Sequence, residues 1–324
     1  MTSTPTPKKA PSNLRLRVIY GVLGAALLLG CVWYGPLSFG LFFGAVQAVM
    51  LWEFYRMMRA GGYAPATWIG IGAGSLVFFS SSIRYGWVVY CLQSIGTGLE
   101  FNFMKYYHPA NNTASLILQN FHIILILVLL IRAMIIWPQE SSPFISVAVT
   151  VVGVLYTSYS ISLLNNLAFV PKLSVDGGFY MSEGTGGFIT TYDYRRIFAL
   201  LFLIWASDIG AYAAGKTFGK HKMAPRISPG KTWEGWAGGF VLTLAVGWAV
   251  GFMLPGLPLA HRLVAAGVVA VFAPLGDLAE SMLKRSVGVK DSGRIMPGHG
   301  GLLDRFDAFL LVLPVLALLQ LVWG

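Results

Sequence analysis

Residues 276–307 bring together side chains that could manage phosphate and metal chemistry. They hold the acids Asp277, Glu280, Asp291, Asp304 and Asp307 and the bases Lys284, Arg285, Lys290, Arg294 and Arg305. A loop, Pro297-Gly298-His299-Gly300-Gly301, lies between them. Asp277, Glu280, Ser281 and Lys284 follow i, i+3, i+4, i+7 spacing, which puts them on one face of a helix. Asp304 and Asp307, three apart, share a face at the start of the next one. Carboxylates from two helices, Asp277 and Asp304, make an oxygen-ligand site suited to Mg²⁺, with room left for water and a substrate phosphate. The glycines at 298, 300 and 301 would let backbone approach an anion closely. His299 could hydrogen-bond a phosphate, act as an acid, or cap the last helix.

Two further groups lie upstream. Asp208 sits inside an apolar helical run, where an acid costs about 3 kcal/mol and is expected to face a polar cavity with a partner. Residues 215–235 carry Lys216, Lys220, Lys222, Arg226 and Lys231. Gly230-Lys231-Thr232 suggests a phosphate-binding P-loop, but position 225, where that motif needs glycine, is proline. The P-loop reading fails. What remains is a turn, Ser228-Pro229-Gly230, that presents Lys231 and a hydroxyl near a helix start, where free N–H groups favour phosphate. Lys220 and Lys222 read as ordinary positive-inside charges. Zinc-ligand spacing, a nucleophile elbow and a serine–histidine pairing are all missing.

The elements that must hold these groups are membrane helices. The chain is 56% hydrophobic, 14% aromatic and only 11% charged, with a mean hydropathy of +0.68. That is the composition of a polytopic membrane protein. Roughly 20 apolar residues cross the hydrocarbon core as a helix. By that measure an all-α fold of about nine spans is expected, near 15–34, 37–57, 66–89, 115–137, 144–169, 196–215, 235–254, 262–283 and 306–323. Segment 86–98 could be a separate re-entrant piece. The first apolar run reads as a retained signal anchor, since further spans follow it directly. Cys31 and Cys91 fall in or beside apolar runs and read as packing residues.

Of the 23 basic residues, all but Arg84, Lys105, Lys172, Arg195, Arg196 and Arg262 fall on the side that holds the N-terminus. The positive-inside rule makes that side cytoplasmic. Loops 216–234 and 284–305 then face the cytoplasm, and a polar cavity in the C-terminal half opens there. The expected organisation is a polar tail over 1–14, a transmembrane scaffold over 15–195 with an external loop at 170–194, and a catalytic domain over 196–324. That external loop suits a small hairpin or an irregular cap and is given no chemistry. The formal charge of +10 reports orientation and anionic lipid first; nucleic-acid binding is not expected.

At residues 204–307 the sequence resembles the phosphatidate cytidylyltransferase (CDP-diacylglycerol synthase) family. The resemblance rests on Ser281, Lys284, Arg285, Lys290, Asp291, His299, Gly300, Gly301, Asp304, Arg305 and Asp307, and on the segments SDIGAY, GKTFGKHK and ISPGKTWEG. It implies transfer of a cytidylyl group from CTP to phosphatidic acid with Mg²⁺, giving CDP-diacylglycerol and pyrophosphate, in a homodimer. On that basis Asp277 and Asp304 are assigned to metal, with Asp307 and Asp208 as further ligands or orienting groups and a second cation possible. Lys231, Lys284, Arg285, Lys290, Arg294 and Arg305 would clamp the triphosphate and the lipid headgroup. Arg226, Ser228, Thr232, Gly300 and Gly301 join them as substrate-binding positions, and His299 as a catalytic one. A CTP-dependent lipid kinase uses the same ingredients but releases CDP. An anion or phospholipid transporter would instead line a pathway with its charges.

Overall fold

The computed structural model describes residues 13–84, 113–136, 142–171, 190–293, 295 and 300–323. Segment 86–98, most of loop 170–194, Arg294 and His299 lie outside the described residues.

The apolar runs form helices because backbone N–H and C=O groups must be satisfied within the segment wherever lipid replaces water. In order they are α1 (Asn13–Tyr34), α2 (Pro36–Ala60), α3 (Thr67–Arg84) and α4 (Thr113–Ile136). Next come α5 (Pro143–Ala168), α6 (Tyr194–Phe218) and α7 (Trp233–Phe252). The last two are α8 (Leu259–Ser286) and α9 (Leu303–Trp323). Among them α2, α5, α6, α7 and α8 are the five long and apolar enough to cross a membrane by length and composition. The chain is therefore mostly helical and built for a bilayer. It is not wholly helical as expected: Phe169–Pro171 (β1) pairs antiparallel with Thr190–Tyr192 (β2), closing the base of the 170–194 loop. A second hairpin joins Lys222–Ala224 (β3) to Ser228–Thr232 (β4).

Helix α2 is the hub of the N-terminal half. Phe39, Phe43, Met50, Leu51, Phe54 and Tyr55 on it are buried against α3, α5 and α9. Two of its buried polar side chains find partners across helices. Gln47 donates to Ser75 Oγ (3.1 Å) and accepts from Ser158 Oγ (2.6 Å), and Tyr55 donates to the Thr150 carbonyl (2.7 Å). Ser158 lies on a π-helical stretch of α5, Val154–Tyr159, of the kind that often marks function.

The C-terminal half is held by very close helix contacts. On α7 the buried residues Gly235, Gly239, Thr243 and Gly247 recur every fourth position. A Cβ on Gly239 would sit 2.7 Å from the Ser207 carbonyl, and one on Gly210 of α6 would sit 2.8 Å from the Gly238 carbonyl. Small residues let the two backbones meet, which is how helices associate where no hydrophobic effect separates protein from lipid. Helices α8 and α9 approach as closely at Gly276, where a Cβ would lie 2.6 Å from the Asp307 carbonyl.

Candidate active site

Three local features aim charged side chains at one region. The first is Pro274 inside α8. Lacking an N–H, it leaves the carbonyl of Ala270, four residues back, without its helical donor. Trp236 of α7 supplies the replacement, its indole N–H donating at 3.2 Å. One turn on, the Pro274 carbonyl accepts from Lys231 Nζ at 2.8 Å, and the same ammonium lies 2.8 Å from Asp277 Oδ2.

The second feature is the β3–β4 hairpin, which carries Lys231 into that position. Thr232 ends the strand and caps α7, accepting from the Gly235 N–H at 3.1 Å. Glu234 accepts from the backbone N–H groups of Lys220 (3.1 Å) and His221 (3.2 Å) and pairs with His221 Nδ1 at 2.6 Å. The third feature is the helical period of α8. Ser281 donates to Asp277 Oδ1 at 3.2 Å, and Lys284 lies 2.7 Å from Glu280 Oε2.

Asp277, Glu280 and Asp307 come together, with oxygens all within 4.8 Å of one another. Glu280 is buried and its Oε1 has no hydrogen-bond partner among the described residues. Three hard oxygen donors, one left without a proton donor, fit a Mg²⁺-type cation. Asp208 carries accessible surface yet lies within electrostatic reach of Asp277, Lys231 and Arg305. It therefore stands beside the cluster with its side chain accessible.

Asp304 is engaged differently from the expected metal ligand. Its Oδ1 lies 2.7 Å from Lys284 Nζ, and its oxygens accept from the N–H groups of Ser292 (3.1 Å) and Gly301 (2.7 Å). Those three bonds take most of a carboxylate's roughly four lone-pair sites. Lys284 bridges Glu280 and Asp304, so it links the acids of the two helices rather than standing free for a phosphate. Gly300 has φ +85°, and a Cβ there would lie 2.5 Å from Asp304 Oδ2. The anion that the described glycines admit is thus the protein's own carboxylate. Thr232 is buried as a helix cap. Arg226, Arg285, Lys290 and Arg305 are exposed and Ser228 half-buried.

Two residues here carry no motif signal. Tyr156, on the π-helical stretch, has a buried hydroxyl with no hydrogen-bond partner among the described residues, within electrostatic reach of Glu280 and Asp307. Glu53 of α2 is fully buried beside the segment leading into α9. A lone tyrosine in an apolar run, or one acid near a helix end, does not stand out by type or spacing.

Fold and site together define a helical integral membrane protein with a charged centre set between its closing helices. Residues 15–323 match the model of the cytidylyltransferase family, and the chain belongs to that family. It is similar to the phosphatidate cytidylyltransferase of Bacillus subtilis (strain 168), with 32% identity over 94% of this chain and 96% of that protein. It is 46% identical to the protein of that name from Staphylococcus saprophyticus over 41% of this chain and 54% of the relative. The Staphylococcus aureus (strain COL) protein of that name is 37% identical over 56% and 73%.

Proposed function

We propose that the protein is a phosphatidate cytidylyltransferase, an enzyme of phospholipid biosynthesis that makes CDP-diacylglycerol and pyrophosphate from CTP and phosphatidic acid. The observation that carries this reading is the Asp277–Glu280–Asp307 cluster with Lys231 and Lys284 on its flanks, in a chain matched to the family along almost its whole length. A phosphate oxygen of the lipid forms a bond to the α-phosphorus of CTP. The bond from that phosphorus to the oxygen bridging to the β-phosphate breaks, and pyrophosphate leaves with the electron pair. The lipid phosphate is already ionised near neutral pH, so the protein need supply no base. Its task is positioning and charge neutralisation.

Asp277, Glu280 and Asp307 would hold Mg²⁺, which when bound supplies positive charge against the phosphates. Asp304 orients the site through Lys284, and Asp208 stands beside the acidic cluster. Lys231 is placed to exchange its contact with Asp277 for a phosphate oxygen. Arg285, Lys290 and Arg305 are exposed and would meet the outer phosphates or the lipid headgroup. The centre would lie on the cytoplasmic side of a bacterial inner membrane, in a chain of nine spans, a reading that the positive-inside bias supports for its sidedness.

The test uses the purified full chain, labelled CTP and phosphatidic acid in mixed micelles, with Mg²⁺ or a chelator. CDP-diacylglycerol and pyrophosphate are expected, dependent on the divalent ion. Release of CDP would identify a lipid kinase, and absence of any lipid-linked product would end the proposal. Light scattering of the detergent complex checks the homodimer that the resemblance implies.

A further inference from the structure

We propose that Glu53, contributed by α2 of the N-terminal half, is a positioning residue that holds the segment around Ser292 and Gly301–Leu303 in register for the reaction. This rests on the cytidylyltransferase reading and extends it to a residue outside the charged C-terminal motifs.

Glu53 is fully buried on α2, a helix packed mainly through apolar and aromatic residues. Its Oε2 accepts from the Leu303 N–H at 2.8 Å, at the first turn of α9, and faces Ser292 Oγ at 3.4 Å. Its Oε1 lies where a Cβ on Gly293 would have to go, and a Cβ on Gly301 would come within 2.6 Å of Oε2. Backbone has closed around the carboxylate from both sides.

The same pieces of chain are held by Asp304, which accepts from Ser292 N–H and Gly301 N–H. Two carboxylates, one from each half of the protein, thus bind both the stretch that leaves α8 and the stretch that enters α9. Asp304 is in turn bonded to Lys284, which touches Glu280 of the acidic cluster. Through this chain of contacts Glu53 determines where Asp304, and with it the α8–α9 centre, comes to rest. A buried acid retained in an apolar helix costs stability unless its bonds are needed. Here they accept from a helix-start N–H that would otherwise be an orphan.

A misplacement of order 1 Å at a reacting centre costs about 100-fold in rate. Glu53→Met fills the same space without the acceptors. It is expected to fold, eluting as wild type, while kcat for CDP-diacylglycerol formation falls about 100-fold and KM for CTP changes less than kcat does. Glu53→Gln keeps one carbonyl oxygen able to accept from Leu303 and is expected to recover most of the lost turnover.

Gly293→Ala disturbs the same contact from the other side, with Glu53 intact, and is expected to lower kcat as well. Should Glu53→Met not fold, Gly293→Ala and Glu53→Gln carry the test. Combined with Glu53→Met, Gly293→Ala is expected to add little, because both break one clamp. Wild-type kcat in Glu53→Met or Gly293→Ala, fully multiplicative losses in the double variant, or failure of Glu53→Gln to exceed Glu53→Met would overturn the proposal. An inactive wild-type chain would instead count against the cytidylyltransferase reading itself.

Discussion

Lys284 on α8 and Asp304 at the head of α9 are joined by a 2.7 Å ion pair, with side chains only 11% and 10% exposed. Glu280, 1% exposed, lies 2.7 Å from the same ammonium. Removing the cation leaves two carboxylates with no countercharge in a place water scarcely reaches. Breaking a buried pair in this way costs about 3–5 kcal/mol. Lys284→Met is therefore expected to lower the midpoint of thermal unfolding in detergent markedly and to abolish turnover. Lys284→Arg is not expected to restore either, since a planar fork replaces a compact charge seated between two acids. An unchanged melting profile for Lys284→Met would remove the pair from any structural role.

Lys231 behaves differently because its partner is open. The Asp277 side chain is 45% exposed and that of Lys231 22%, so screening leaves their pairing about 1 kcal/mol or less of stability. Lys231→Ala should scarcely move the melting temperature. A hydrogen bond from an ammonium to a phosphate contributes about 1.5–3 kcal/mol, so kcat/KM for CTP should drop about 10- to 100-fold. Steady-state kinetics with varied CTP decide; unchanged values would return Lys231 to the role of an orienting charge at the membrane.

Thr232 was expected at the substrate and is found capping α7. Thr232→Ala should cost about 1 kcal/mol of stability, as loss of an N-cap does. Thr232→Ser should keep both stability and KM for CTP. If Thr232→Ser raises KM while the melting temperature holds, the threonine methyl meets substrate after all.

Trp236→Phe tests the repair at the proline. The Ala270 carbonyl lies on a residue with no solvent exposure, and without the indole N–H it would be left unpaired. An expected loss of about 1–3 kcal/mol should appear as a lower unfolding temperature and faster proteolysis, with the substrate KM values little changed.

Much of this was legible in the sequence, for definable reasons. Apolar runs bounded by charges give helix positions to within a few residues, as α6 and α8 show. Asp277, Glu280, Ser281 and Lys284 could be placed on one face because the helical period is fixed. Pairing across helices was not legible. Type and spacing put Asp304 near Asp277 but could not show that Lys284 occupies it. Glu53 was invisible for a stronger reason: Ser292 lies 239 positions away, and an acid shortly before Arg56 and Arg59 reads as an ordinary charge near a helix end. The four-residue recurrence of small residues on α7 was present in the sequence but diluted among 38 glycines.

The defect that Pro274 introduces has a bearing on biogenesis. A ribosome delivers Lys231 and Trp236 before it delivers Ala270 and Pro274. The donor that completes the interrupted ladder, the Trp236 indole, and the lysine that reaches the Pro274 carbonyl are therefore already made when the interrupted helix reaches the translocon. Inserted on its own, that helix would carry an unquenched carbonyl into hydrocarbon; inserted beside its predecessor, it meets a hydrogen-bond donor on arrival. The synthesis order of the polypeptide, and not only its final packing, suits a proline at this depth.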